Sequence, residues 1–182
     1  MKSKEYAVME LFFEQPTREW HFEEILQTAK VSRGKATQWL KKLQKEGVIK
    51  RVKEKGKMPY HISNYNSPEY KNKKRLFAFQ KLYDSGLLNH LSALPKAETV
   101  ILFGSFMRSD WYQNSDIDIF IYGSPEGLSI ANYELFLQKD IQVFVSRTKE
   151  DLFELGNDFI KNIIKGHLVK GTVDFIEVST HA

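Results

Sequence analysis

The 182 residues include no cysteine, which excludes a disulfide scaffold, a thiol nucleophile and Cys-based zinc sites. The five histidines, at positions 21, 61, 90, 167 and 181, stand apart without ligand spacing and argue against a structural metal centre. No stretch approaches the roughly 18 uncharged apolar residues of a membrane span. The amino-terminal MKSKEYAVMELFFEQ carries glutamates among its apolar residues, unlike a signal peptide. The expectation is a cytoplasmic protein with no membrane partner. Internal repeats and low-complexity tracts are also missing. What remains is a globular composition, 42% hydrophobic and 27% charged. The length suits one medium domain or two small ones of roughly 80–100 residues each.

The formal net charge of +4 hides an asymmetry. Residues 1–90 hold 19 of the 27 Lys+Arg and 10 of the 23 Asp+Glu. Residues 91–182 hold the remaining 8 and 13. A basic first half points to a polyanionic partner, and an acidic second half to different work.

In the basic half, residues 5–14 place Tyr6, Met9, Leu11 and Phe13 among charges, and Pro16 stops that helix. Residues 22–29 predict a second helix with Phe22, Ile25, Leu26 and Ala29 on one side. A third begins at Ser32, a good N-cap residue, and ends at Gly47. It has an apolar stripe of Ala36, Trp39, Leu40 and Leu43. Its other face carries Gly34, Thr37, Gln38, Lys41, Lys42 and Lys45. VIKRV (48–52) and MPYHI (58–62) read as two strands around the charged turn KEKGK (53–57). Three short helices and a basic-tipped hairpin resemble the winged helix-turn-helix domains of prokaryotic transcription regulators over residues 3–64. The resemblance implies duplex DNA as a partner, met by Arg33, Lys35, Thr37, Gln38, Lys41 and Lys42 on the third helix and by Lys55 and Lys57 on the wing. The same lysines also fit a solvated surface, and a winged helix also serves protein or RNA contacts. Gly34-Lys35-Ala36-Thr37 is no P-loop, because position 29 is Ala and no strand precedes it.

Ser67-Pro68-Glu69 predicts a helix start, with Ser67 as N-cap and Pro68 at the first helical position. Leu76, Phe79, Tyr83 and Leu87 follow at helical spacing, Gly86 kinks or breaks the run, and Pro95 closes it. Such a connector either packs within the chain or pairs two copies as a homodimer.

The acidic half carries the chemistry in TVILFGSFMRSDWYQNSDIDIFIY, residues 99–122. Val100–Phe103 is an apolar run, Gly104-Ser105 ends it, and FMRSDW predicts a short helix. A Gly-Ser turn between strand and helix presents backbone N–H groups to anions, and Arg108 adds a charge for phosphates. The next strand, Asp116–Ile121, alternates so that Asp116 and Asp118 share one face and Ile117, Ile119 and Ile121 the other. Two carboxylates roughly 7 Å apart along a strand suit one or two Mg²⁺ ions shared with substrate phosphates. Either feature alone is commonly a turn or a polar strand face; their combination is the informative signal.

That combination resembles the polymerase-β-like nucleotidyltransferase superfamily in its minimal form, over residues 97–177. The family pattern, Gly-Ser, about ten residues, then Ser-Asp-Ile-Asp, is met by Gly104, Ser105, Ser115, Asp116 and Asp118, with Arg108 matching the usual basic residue of the intervening helix. The resemblance implies Asp116 and Asp118 as catalytic Mg²⁺ ligands and Gly104, Ser105, Arg108 and Ser115 as nucleotide-binding residues. The family usually has a third carboxylate on the following strand, expected here over Ile141–Val145. The matching residue is Gln142, which has no basic oxygen. Asp140, two residues earlier, shares its face, and Glu134 is a more remote candidate. A helix over 149–165 and a last strand over 172–178 complete the expected domain.

The expected fold class is α+β: a winged helix-turn-helix domain (1–65), a connecting helical segment (66–95) and a minimal nucleotidyltransferase-like domain with a mixed sheet (96–182). One functional reading is a DNA-binding regulator fused to an enzyme that moves a nucleoside monophosphate from a Mg²⁺-bound triphosphate to a hydroxyl. For that reading the resemblance implies an antitoxin-like role with a small helical toxin as partner. The other is a catalytically inactive fold serving a transcription regulator as nucleotide sensor or dimerisation module. An RNA-directed enzyme that holds its acceptor with the winged helix is a third.

Overall fold

The structure is a computed structural model and describes residues 4–174. The chain divides into two compact units: residues 1–76 with 111–113, and residues 77–110 with 114–182. Among the described residues no helix is long and apolar enough to cross a membrane.

The first unit opens with α1 (Lys4–Glu14), which buries Val8, Met9, Phe12 and Phe13. This spacing is one helical face, so Tyr6 and Leu11 lie off it. The short β1 (Trp20–His21) leads into α2 (Phe22–Ala29), whose start is held by Glu24 Oε2 accepting from the His21 N–H at 3.0 Å. After the N-cap residue Ser32, α3 (Arg33–Lys45) buries Ala36, Leu40 and Leu43. β2 (Ile49–Val52) and β3 (Tyr60–Ser63) pair antiparallel, with Ile49 opposite Ser63 and Val52 opposite Tyr60. β1 joins the free side of β3, giving the order β1-β3-β2. A two-residue strand has no alternation to read, so β1 was invisible in the sequence.

Residues 111–113, expected within the acidic domain, belong to this first unit. Trp111 is fully buried, edge-on to Phe13 at 6.3 Å between ring centroids. The Gln113 N–H donates to the Glu14 carbonyl at 2.9 Å.

The connector is α4 (Pro68–Ser85) followed, after Gly86, by α5 (Leu87–Ala93). Ser67 Oγ accepts from the Tyr70 N–H, as its N-cap position requires. Segment 66–95 is no unit of its own: the division falls within α4. Of the apolar stripe read from sequence, Leu87 is buried and Phe79 half-buried, but the two other members within α4 miss the buried face. Leu76 and Tyr83 are 68% and 62% exposed, while Tyr70, Lys74, Phe77, Ala78, Lys81 and Leu82 are buried. Two lysines displace the stripe because each finds a carbonyl. Lys74 Nζ donates to Trp111 O and lies 4.4 Å from that indole's centroid; Lys81 Nζ donates to Leu137 O at 3.5 Å.

The second unit is a four-stranded mixed sheet in the order β6-β5-β4-β7. Its strands are β4 (Ala97–Phe103), β5 (Ile117–Gly123), β6 (Ile141–Ser146) and β7 (His167–Lys170). β5 and β6 run parallel; β4 runs antiparallel to both β5 and β7. α6 (Gly104–Arg108) follows β4, and α7 (Ala131–Leu137) precedes β6. The helix expected over 149–165 is two, α8 (Lys149–Glu154) and α9 (Asn157–Ile164), because Gly156 at φ +78° takes the chain out of helical conformation. These helices lay Leu152, Ile160 and Ile163 onto Ile101, Phe103 and Phe120 of the sheet. Of the strand expected over 172–178, residues 172–174 are non-strand, and 175–178 lie outside the described residues.

Candidate functional site

The acid pair sits at the start of β5. Asp116 precedes the strand, which starts one residue later than expected, and Asp118 is the second strand residue. Both faces of β5 are apolar beyond that point. Ile117, Ile119 and Ile121 are buried as expected, but so is Phe120, which follows Asp118 on the same face. Asp118 therefore lies at the rim of a packed core and is only half-exposed.

Across the sheet, β4 ends opposite this residue: Phe103 pairs with Asp118. Gly104 then turns the chain with φ +75°, and its α-carbon faces the Asp118 carboxylate. A Cβ there would stand 1.9 Å from Asp118 Oδ2. Glycine is required twice over, for the backbone angle and for the approach. Ser105 follows, partly exposed, and Ser115 is partly exposed just before the acids.

On the other side the parallel register sets Gln142 beside Asp118, and Gln142 Nε2 donates to Asp116 Oδ2 at 2.5 Å. The matching position of the third strand thus holds an amide engaged with the first acid. Asp140 lies before β6, and its carbonyl accepts from the Ile117 N–H at 2.9 Å. Glu134 is occupied elsewhere, accepting from the Ile141 N–H at 3.0 Å. Among the described residues no three His, Asp or Glu side chains come together as a metal cluster.

Arg108 closes the α6 side. Its Nε donates to Asp110 at 3.2 Å and its Nη1 to Asn162 Oδ1 at 2.8 Å. Asn162, on α9, is a partner of Arg108 that sequence reading missed; nothing in its local pattern marks it, since the contact spans 54 positions.

Burial, then the Asp116 charge, push the Asp118 carboxyl above its ordinary value, and Arg108 holds it back. Two repelling carboxylates, one half-buried, and a glycine cradle that a Cβ would fill fit a divalent cation. The raised Asp118 value also predicts a pH effect. A carboxyl whose folded value exceeds its unfolded value costs stability when ionised. That cost is fully present above the folded value and fades as pH falls through it toward the ordinary range, about 4. Metal-free Asp118→Asn is therefore expected to melt higher than the wild type at neutral pH, with the gap closing on acidification. Thermal unfolding across pH checks this, and a gap that is constant or reversed refutes it.

Residues 87–174 match the family model described as Polymerase beta, Nucleotidyltransferase. The match takes in Gly104-Ser105, Asp116 and Asp118, Gln142 and all four strands of the mixed sheet, so it is this segment that is similar to nucleotidyltransferases. It does not reach α1 to β3. No curated protein and no solved structure matches the chain.

The predicted DNA-contacting residues lie in the first unit, and their charges are not equivalent. Arg33 pairs with Glu23 at 2.7 Å, Lys42 with Glu5 at 2.7 Å and Lys57 with Glu54 at 2.5 Å. The Thr37 hydroxyl donates to the Arg33 carbonyl at 2.9 Å, leaving only lone pairs to offer. Lys35, Lys41 and Lys55 have no ion-pair partner among the described residues, and Gln38 is exposed on the same helix. Arg51, absent from the sequence-based set, is also exposed and unpaired. Its alternation with Lys50 on β2 was legible, but the sequence did not show on which side of α3 the strand would lie.

Proposed function

We propose that the nucleotidyltransferase-like domain binds a Mg²⁺–nucleoside triphosphate and transfers the nucleoside monophosphate to a hydroxyl. The close approach of Gly104 to the Asp118 carboxylate carries the reading, because it holds the acid pair against the Gly-Ser turn. In this reading the Gly104-Ser105 turn and Ser115 receive the phosphates, Arg108 adds positive charge, and Asp116 and Asp118 hold the metal. Bound Mg²⁺ supplies the charge that neutralises the triphosphate and polarises its α-phosphorus. The acceptor oxygen forms the new P–O bond while the α–β bridging bond breaks and pyrophosphate leaves. The acceptor must also lose a proton, which Gln142 cannot take and which passes to solvent water without a positioned base. Transfer is therefore expected to be slow.

The acceptor we propose is a protein hydroxyl on a small helical toxin, in an antitoxin-like pairing. Incorporation of label from α-labelled triphosphate into such a partner, or into the chain itself, tests this directly. The Gln142–Asp116 hydrogen bond favours a second reading, in which the domain binds nucleotide without transferring it and serves a regulator as a sensor. Triphosphate binding without label transfer decides for that reading. Metal-independent binding that survives Asp118→Asn refutes both.

We further propose that the first unit is a winged helix-turn-helix that binds duplex DNA. Supporting it are the order α1-β1-α2-α3-β2-β3, the three-stranded antiparallel sheet and the unpaired Lys35, Lys41 and Lys55. Each lost phosphate contact removes about one unit from the log–log salt slope. Lys35→Ala and Lys41→Ala in the full chain are expected to weaken binding and flatten that slope. Glu5→Gln, which releases Lys42, is expected to strengthen it. Gln38→Ala changes sequence preference rather than salt dependence. The measurement is duplex affinity across a salt series, and no binding at low salt refutes the reading.

A further inference from the structure

An open cavity of about 370 Å³ in the first unit lies against α3, α2 and the β2–β3 hairpin. Its size falls within the range of small-ligand sites, about 300–1,000 Å³. Phe22 and Leu40 give it apolar wall, and Lys41 and Arg51 stand over it as two cations without ion-pair partners among the described residues. No acid lines it.

His61 completes the wall. It is 6% exposed, and its Nδ1 has no hydrogen-bond partner among the described residues. Burial, then the nearby Arg51, push the imidazole below its ordinary value, and a backbone hydrogen bond with Trp20 opposes them. The ring therefore contributes a neutral aromatic surface to the wall.

We propose that this cavity binds a small organic anion with a flat apolar body, and that its occupant and duplex DNA exclude one another. The anionic group is held by Lys41 and Arg51, and the apolar body covers Phe22 and Leu40 and reaches the His61 ring. A DNA phosphate satisfies the two cations but leaves the apolar wall and the imidazole uncovered. Exclusion follows because Thr37 and Lys41 line the cavity and also belong to the proposed DNA-contacting set; this half rests on the DNA-binding reading.

The test uses the full chain and naphthalene-2-sulfonate, a flat apolar body with one negative charge. The NMR shifts of the Leu40 methyls and the His61 Cε1–H locate binding in this cavity. The expected result is a saturable shift of both, with affinity falling at least about tenfold in Arg51→Gln, since charge-assisted hydrogen bonds are lost. Lys53→Gln, which removes a basic charge outside the cavity, leaves the affinity unchanged. Saturating probe weakens duplex binding by at least about tenfold, as loss of the charged contacts requires. No saturable shift at millimolar probe overturns the site, as does equal weakening by Arg51→Gln and Lys53→Gln. Unchanged duplex affinity in saturating probe overturns the exclusion. If the probe-free chain binds no duplex, the DNA reading fails, and the shift titration alone decides the cavity.

Discussion

Gly104→Ala is expected to eliminate Mg²⁺-dependent triphosphate binding although it adds a single methyl group. The residue sits at φ +75°, and the new Cβ would fall 1.9 Å from Asp118 Oδ2. Either the turn opens or the carboxylate swings away, and both separate the acid pair from the Gly-Ser turn. A displacement of about 1 Å in a positioned group commonly costs about 10²-fold, so we expect at least that loss in affinity by calorimetry. The backbone strain adds about 1–3 kcal/mol of destabilisation. A double-mutant cycle separates the two costs. In Gly104→Ala/Asp118→Ala the steric conflict disappears while the strain remains, so the pair should be non-additive in stability by about 1 kcal/mol. Wild-type triphosphate affinity in Gly104→Ala would remove the observation on which the enzymatic reading stands.

Gln142→Asp is expected to act in the opposite direction on transfer. The parallel register sets position 142 beside Asp118, and the present amide donates to Asp116. An acid there supplies the missing base, and a positioned general base contributes about 10²–10⁴-fold. The same change deletes a hydrogen bond and adds a third negative charge next to two others. The metal-free variant should therefore melt lower than the wild type and recover with Mg²⁺. Label transfer from α-labelled triphosphate, read in both proteins, checks the first claim, and thermal unfolding with and without Mg²⁺ the second. Brisk wild-type transfer lost in Asp140→Asn would assign the third carboxylate to Asp140 instead. Bound triphosphate with no transfer by either protein would favour the sensor.

Local chemistry made several elements legible in the sequence. Apolar runs with turn residues at their ends gave β4 and β5, Ser67 capped α4, and Gly47 stood beyond α3. Asp116 and Asp118 were legible as a pair because a strand has a period of two, and Gly104-Ser105 because a turn must follow a buried strand. Tertiary contacts decided the rest. The buried face of α4 follows Lys74 and Lys81, whose ammonium groups reach distant carbonyls; apolar periodicity alone picked Leu76 and Tyr83, which are exposed. β1 forms only because β3 offers it a partner. Trp111 belongs with Phe13, nearly a hundred positions away. The same distinction runs through the two candidate sites. The sequence determined which acids and bases exist and how they are spaced. Only the folded chain decided that Asp118 lies against Gly104 and beside Gln142, that Arg108 reaches Asn162, and that Lys41 and Arg51 stand over one cavity. Each of these depends on strand register or packing between segments far apart in the chain, which short-range spacing does not encode.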